Sequence, residues 1–213
     1  MKNQFLSKVF TWFGIGLLVT FLTAYLTSTN INALRFIFNG SSYIIIVILE
    51  FVIAIWLSAR IHTMSTTLAK GLYIGYSALT GLTFSSIFIV YEITSILWIF
   101  LASAFVFGIF ALLGKSNKFD LSKYGIYLII ALLGSVILEI INIFLANGTL
   151  DIILCVFVLA IFVTYVAYDV QKIINRYDTT ENMAIYGAFD LYLDFINIFL
   201  RILSYNPFYF LYV

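Results

Sequence analysis

Six apolar runs, near residues 9–27, 42–59, 72–90, 96–113, 124–145 and 150–168, follow one another with only short loops between them. Each approaches the roughly 20 apolar residues that a helix needs to cross the hydrocarbon core of a bilayer. A seventh run, near 184–203, is also apolar but carries Asp190, Asp194, Asn197 and Arg201. Stretches such as Tyr43-Ile44-Ile45-Ile46-Val47-Ile48-Leu49 are continuous, whereas a membrane barrel needs alternating segments of about ten residues. Their β-branched residues do not argue for strands, because in lipid a helix satisfies its own backbone groups. The expectation is an all-α integral membrane protein with seven transmembrane helices, forming one domain over residues 1–213 with the lipid bilayer as its surroundings.

Composition agrees and narrows the function classes. Hydrophobic residues make up 63% of the chain and charged residues 10%, too few charges to cover a soluble domain. A net charge of +1 offers no basic face to a nucleic acid. Cys155 is the one cysteine and His62 the one histidine, so neither an intrachain disulfide nor a zinc cluster is expected. Cys155 reads as a small core or lipid-facing residue. The first run is as long as a full span and no small-x-small cleavage signal follows Thr27, so it reads as a helix that stays.

Charge sets the orientation. With the N-terminus inside, Lys2, Lys8, Arg60, Lys70, Lys115, Lys118, Lys123, Lys172 and Arg176 all fall on the cytoplasmic side, and only Arg35 falls outside. That asymmetry is the positive-inside pattern. A full seventh crossing leaves the C-terminus outside and a re-entrant one leaves it inside; the tail from Ser204 has no charge to favour either. Its aromatics, Tyr205, Phe208, Tyr209, Phe210 and Tyr212, suit an interfacial belt.

Ionisable groups at bilayer depth are costly and normally face a bundle interior. Asp190, Asp194, Asn197 and Arg201 stand at i, i+4, i+7 and i+11, one stripe of a helix whose other faces are apolar. The stripe suits a path or a binding site; the plainer alternative is a structural pair in which Arg201 neutralises Asp194. Asp169 ends the sixth run, where it is either a solvated residue near Lys172 and Arg176 or a group facing Asp190 or Asp194 across the short sixth-to-seventh link. Two such carboxylates would hold one proton between them and titrate as a unit, and ionised they offer the hard oxygens that suit Ca²⁺. Glu50 in the second span and Glu139 with Asn142 in the fifth are further cation-pathway candidates. Glu50 reads equally as a neutral, hydrogen-bonded group. Arg60 is either a snorkelling anchor or a counter-charge to the aspartates.

Residues 166–201 resemble the Bax inhibitor-1 (transmembrane BAX inhibitor motif) family. Ala167-Tyr168-Asp169-Val170-Gln171-Lys172-Ile173 is similar to its Tyr-Asp-x-Gln-x-Ile element. Gly187-Ala188-Phe189-Asp190-Leu191-Tyr192-Leu193-Asp194-Phe195-Ile196-Asn197-Ile198-Phe199-Leu200 is similar to its Gly-Ala-x-x-Leu-Tyr-Leu-Asp-Phe-Ile-Asn-Leu-Phe element. The resemblance implies six helices wrapped around a central C-terminal helix. It implies a pH-dependent leak in which calcium is the transported ion and no cofactor is needed, in a bacterial plasma membrane. By motif, the gating pair and possible calcium contacts are Asp169 and Asp194, with Arg60 linked to them. Asp190 departs from the family's usual small or neutral residue, and the tail lacks the basic cluster of some eukaryotic members. Two rivals remain. Tyr168-Asp169 and Gly187-Ala188-Phe189-Asp190 approach the pattern of an intramembrane aspartyl protease, in which two aspartates activate water. Against that enzyme, Phe189 replaces its second Gly and the Pro-Ala-Leu element is absent. A non-conducting regulatory protein is the other.

Overall fold

A computed structural model describes residues 2–116 and 120–204. Lys118 and the aromatic tail from Tyr205 lie outside them. Among the described residues no strand occurs, and the helices run α1 (Lys2–Ser28), α2 (Ile31–Ile37), α3 (Ser41–Arg60), α4 (Thr66–Phe84), α5 (Ile87–Val90), α6 (Ile93–Ser116), α7 (Gly125–Leu145), α8 (Gly148–Arg176) and α9 (Glu181–Ser204). Among the described residues seven stretches are long and apolar enough to cross a membrane, with α4 and α5 together making the third.

Two details depart from the apolar runs. The third run breaks between α4 and α5, where Ser85 Oγ and Ser86 Oγ donate back to the carbonyls of Leu82 (2.7 Å) and Thr83 (3.2 Å). Consecutive serines bonding to the i−3 carbonyls compete with the helical ladder. The sixth run ends at 168 by hydropathy, yet α8 continues to Arg176 and carries Asp169, Gln171 and Lys172 on helical backbone.

The chain forms two compact units, residues 2–96 with 177–192, and 97–176 with 193–204. In the first, α1 packs on α4 and α3 packs on α4. Tyr73, fully buried, donates to Trp12 O at 3.1 Å and meets Phe189 and Tyr192 edge-on. Thr20 lies 2.6 Å from the Tyr192 hydroxyl and donates toward Gly16 O and Ser77 O. The start of α9 is tied down by charge. Glu181 faces Lys70 Nζ at 3.1 Å, Lys8 Nζ at 3.5 Å and the Trp12 indole N–H at 3.2 Å. Next to it, Asn182 Nδ2 donates to Ile61 O (3.0 Å) and Met64 O (2.9 Å) in the α3–α4 loop. Asn182→Ala strands both carbonyls and is expected to cost about 1–2 kcal/mol. Thermal unfolding of the purified protein checks this; an unchanged melting temperature removes the tie.

In the second unit α7 packs on α8 through a capped hairpin. Ala146 takes a left-handed conformation (φ 49°) and its N–H bonds to Asn142 O, closing α7. The buried Asn142 donates to Asn147 O (3.2 Å) and to Asp151 Oδ1, while Asn147 Oδ1 caps α8 through the N–H groups of Thr149 and Leu150. Asn142, a pathway candidate by sequence, is thus occupied in closing the hairpin. Phe195 of α9 packs edge-on against Phe100 and Phe107 of α6.

Burial separates the spans. The apolar window of α9 is 67% buried, against 44% for α8 and 6% for α3. The polar stripe therefore lies on the span with the largest buried share among the described residues, and α3 and α7 keep their apolar surfaces exposed, as lipid-facing helices do.

Candidate functional site

The second unit contains both motif aspartates. Asp169 of α8 is 6% exposed and Asp194 of α9 is 5% exposed, a burial that carboxylates show only with partners. Tyr165 stands one helical turn before Asp169 on α8. Lys172, one turn after Asp169, brings Nζ to 3.4 Å from Asp169 Oδ1. Asp169 thus has an ammonium beside it, and Tyr165 stands one turn away on the same helix.

The segment bearing Asp169 is fixed by close backbone approach. A Cβ on Gly114 of α6 would fall 2.3 Å from Ala167 O, so only glycine lets α8 sit this near. A Cβ on Gly125, at the start of α7, would fall 2.5 Å from the Tyr168 hydroxyl oxygen. Gln171 Oε1 accepts the Leu121 N–H at 2.7 Å. Residues 167, 168 and 171 are each pinned, and Asp169 is carried between them. Sites held by such packing keep their geometry. A rigid carboxylate pair can share a proton or offer oxygens to a hard cation.

The remaining candidates divide by partner. Arg201, weighed in the sequence as the neutraliser of Asp194, is ion-paired with Glu139 of α7 instead. Asn197 turns back on its own helix and donates to Leu193 O at 2.7 Å. In the first unit, Asp190 accepts from the Tyr177 hydroxyl at 2.8 Å, and the Tyr177 ring stacks on Tyr186. Glu50 is half-buried and accepts from Thr83 Oγ1 at 3.3 Å. Arg60 closes α3 with an exposed side chain. Tyr165 was not singled out by sequence reasoning; its signal was the i−4 spacing to Asp169. The Glu139–Arg201 pair was missed as a pair, although both members were noticed.

Comparison with known proteins gives a coherent result. Residues 2–207 match the family described as "Inhibitor of apoptosis-promoting Bax1". The protein named "Inner membrane protein YbhL" of Escherichia coli is 38% identical over 210 residues, covering 94% of this chain and 90% of that protein. An uncharacterized protein of Borreliella burgdorferi is 37% identical over 213 residues, covering 96% of this chain and 92% of the relative. One from Deinococcus radiodurans is 32% identical over 208 residues, covering 95% and 89%.

Proposed function

This chain belongs to the Bax inhibitor-1 family of multi-pass membrane proteins, and from that premise we propose that it is a pH-sensitive calcium leak gated by Asp169 and Asp194. The observation that carries this reading is the burial of both motif carboxylates within one unit, on helices long and apolar enough to cross a membrane. Buried ionisable groups inside a membrane protein mark ion paths and proton-linked switches. In this reading α9 is the central helix, supported by its burial, and the protein conducts rather than catalyses. Sharing one proton, the aspartates hydrogen-bond and hold α8 to α9. With the last proton gone, they repel and the helices have reason to part. Lys172 moderates that repulsion from beside Asp169.

The deciding experiment is calcium flux into liposomes containing the purified protein, across pH, with and without the aspartates. A wild-type protein that passes no more calcium than empty liposomes sinks the leak.

Arg60 is a counter-charge to the pair in the same reading, which rests on the family motif and its place at the end of α3. Arg60→Ala is expected to shift the pH midpoint of the flux by about half a unit or more, as loss of a nearby charge does. A change in expression alone would leave Arg60 an anchor. The orientation is tested separately. In a Cys155→Ser background, Asp151→Cys is expected to react with an impermeant maleimide from outside and Lys118→Cys is not. Outside labelling at 118 reverses the topology.

A further inference from the structure

The ion pair between Glu139 and Arg201 has no part in the proton-sharing site, yet Arg201 stands on the same stripe of α9 as Asp194. Seven residues separate them, which turns the helix through almost two full turns and advances it by about 10 Å. A cation that follows the stripe past Asp194 toward the C-terminal end of α9 therefore meets a guanidinium. A guanidinium on that path is a positive charge that a passing cation must approach. Glu139 is the group that cancels it. The two side chains are partly exposed, 28% for Arg201 and 31% for Glu139, while the Glu139 oxygen that meets the guanidinium is itself covered. An ion pair at this depth is also a poor means of stabilisation, because desolvation offsets the attraction. The backbone of Arg201 is engaged as well, its carbonyl accepting from Cys155 Sγ at 3.5 Å.

We infer that Glu139 and Arg201 form a charge-compensation site that sets how readily divalent cations pass the C-terminal end of the α9 stripe. The inference rests on the leak reading above. It assigns Glu139 the role of a neutraliser, not of a calcium ligand, and makes the net charge of the pair the quantity that governs passage.

Calcium flux in proteoliposomes at fixed pH tests it, with Glu139→Gln, Arg201→Gln and the double variant. Glu139→Gln preserves shape, Arg201→Gln shortens the side chain, and the two move the net charge in opposite directions. Glu139→Gln leaves Arg201 uncompensated and is expected to reduce flux by about tenfold or more, since one unscreened charge near a path is worth several kT. Arg201→Gln leaves a net negative charge and is expected to raise flux. The double variant, neutral and without the ion pair, is expected to conduct like wild type. A merely structural pin predicts something else: both single variants and the double one change flux in the same direction, with a lower melting temperature. That result, or no change in any variant, overturns the inference while wild-type flux and its sensitivity to Asp194→Asn leave the leak standing. Absence of wild-type flux overturns the leak itself and this inference with it.

Discussion

Asp194→Asn is expected to flatten the pH dependence of calcium flux, and Asp169→Asn to do the same without adding to it. The expectation follows from the proposed coupling of Asp169 and Asp194, both buried in the same unit. At about 4 Å, and with an effective dielectric near 20, two ionised carboxylates repel by about 4 kcal/mol. Each pH unit is worth about 1.4 kcal/mol, so a repulsion of that size couples the two titrations tightly. Asparagine keeps the shape and the hydrogen-bonding capacity but cannot lose a proton in this range. Either substitution then removes the coupled titration as a whole, and the double variant has nothing further to lose. Asp190→Asn is expected to matter less, because Asp190 is engaged by the Tyr177 hydroxyl. The mechanism fails if both Asn variants keep the wild-type profile, or if Asp190→Asn alone abolishes it. Tyr165→Phe gives a finer test. It leaves both carboxylates in place and removes only a hydroxyl one helical turn from Asp169, so it should displace the midpoint without flattening the curve.

The spans were legible because a bilayer imposes one length and one composition on every crossing. The runs near 42–59 and 124–145 correspond closely to Ser41–Arg60 and Gly125–Leu145. What the sequence concealed was local polar chemistry. Ser85 and Ser86 are mild residues in an apolar run, and only their bonds to Leu82 and Thr83 reveal a helix break. The end of α8 was hidden for the opposite reason. Hydropathy stops at Tyr168 because the following residues are polar, but the backbone continues to Arg176. The aspartates stood out because charge in an apolar helix is rare. Their surroundings did not. Spacing along α9 put Arg201 on the face of Asp194, and from that face an Asp194–Arg201 pair was a reasonable reading. The rotation of α7 about its own axis, which one sequence does not reveal, gave Arg201 to Glu139. Tyr165 stayed hidden in the same way, as one aromatic among 15 tyrosines.

Gly114→Val is expected to lower thermal stability sharply and to disturb gating at the same time. Here α6 meets α8 backbone to backbone: a Cβ on Gly114 would stand 2.3 Å from the Ala167 carbonyl oxygen and 2.9 Å from its carbonyl carbon. The obstacle is main chain, which cannot swing aside as a side chain does, so the helices must separate. Small residues at such crossings are what let transmembrane helices pack closely. Overpacking a tight contact costs about 1–3 kcal/mol, and a branched side chain against backbone belongs at the upper end. The contact also lies two residues before Asp169, so moving α8 outward displaces a carboxylate of the proposed gate. Gly108→Ala on the same helix supplies the control, because a Cβ there meets nothing within 4 Å. In an open position that substitution favours the helix by up to about 1 kcal/mol. Melting temperatures of the two variants in detergent should therefore move in opposite directions. Calcium flux should change its pH profile only in Gly114→Val. Equal melting temperatures would mean that α6 and α8 do not touch at Ala167, and the account of how Asp169 is positioned would fall with that contact.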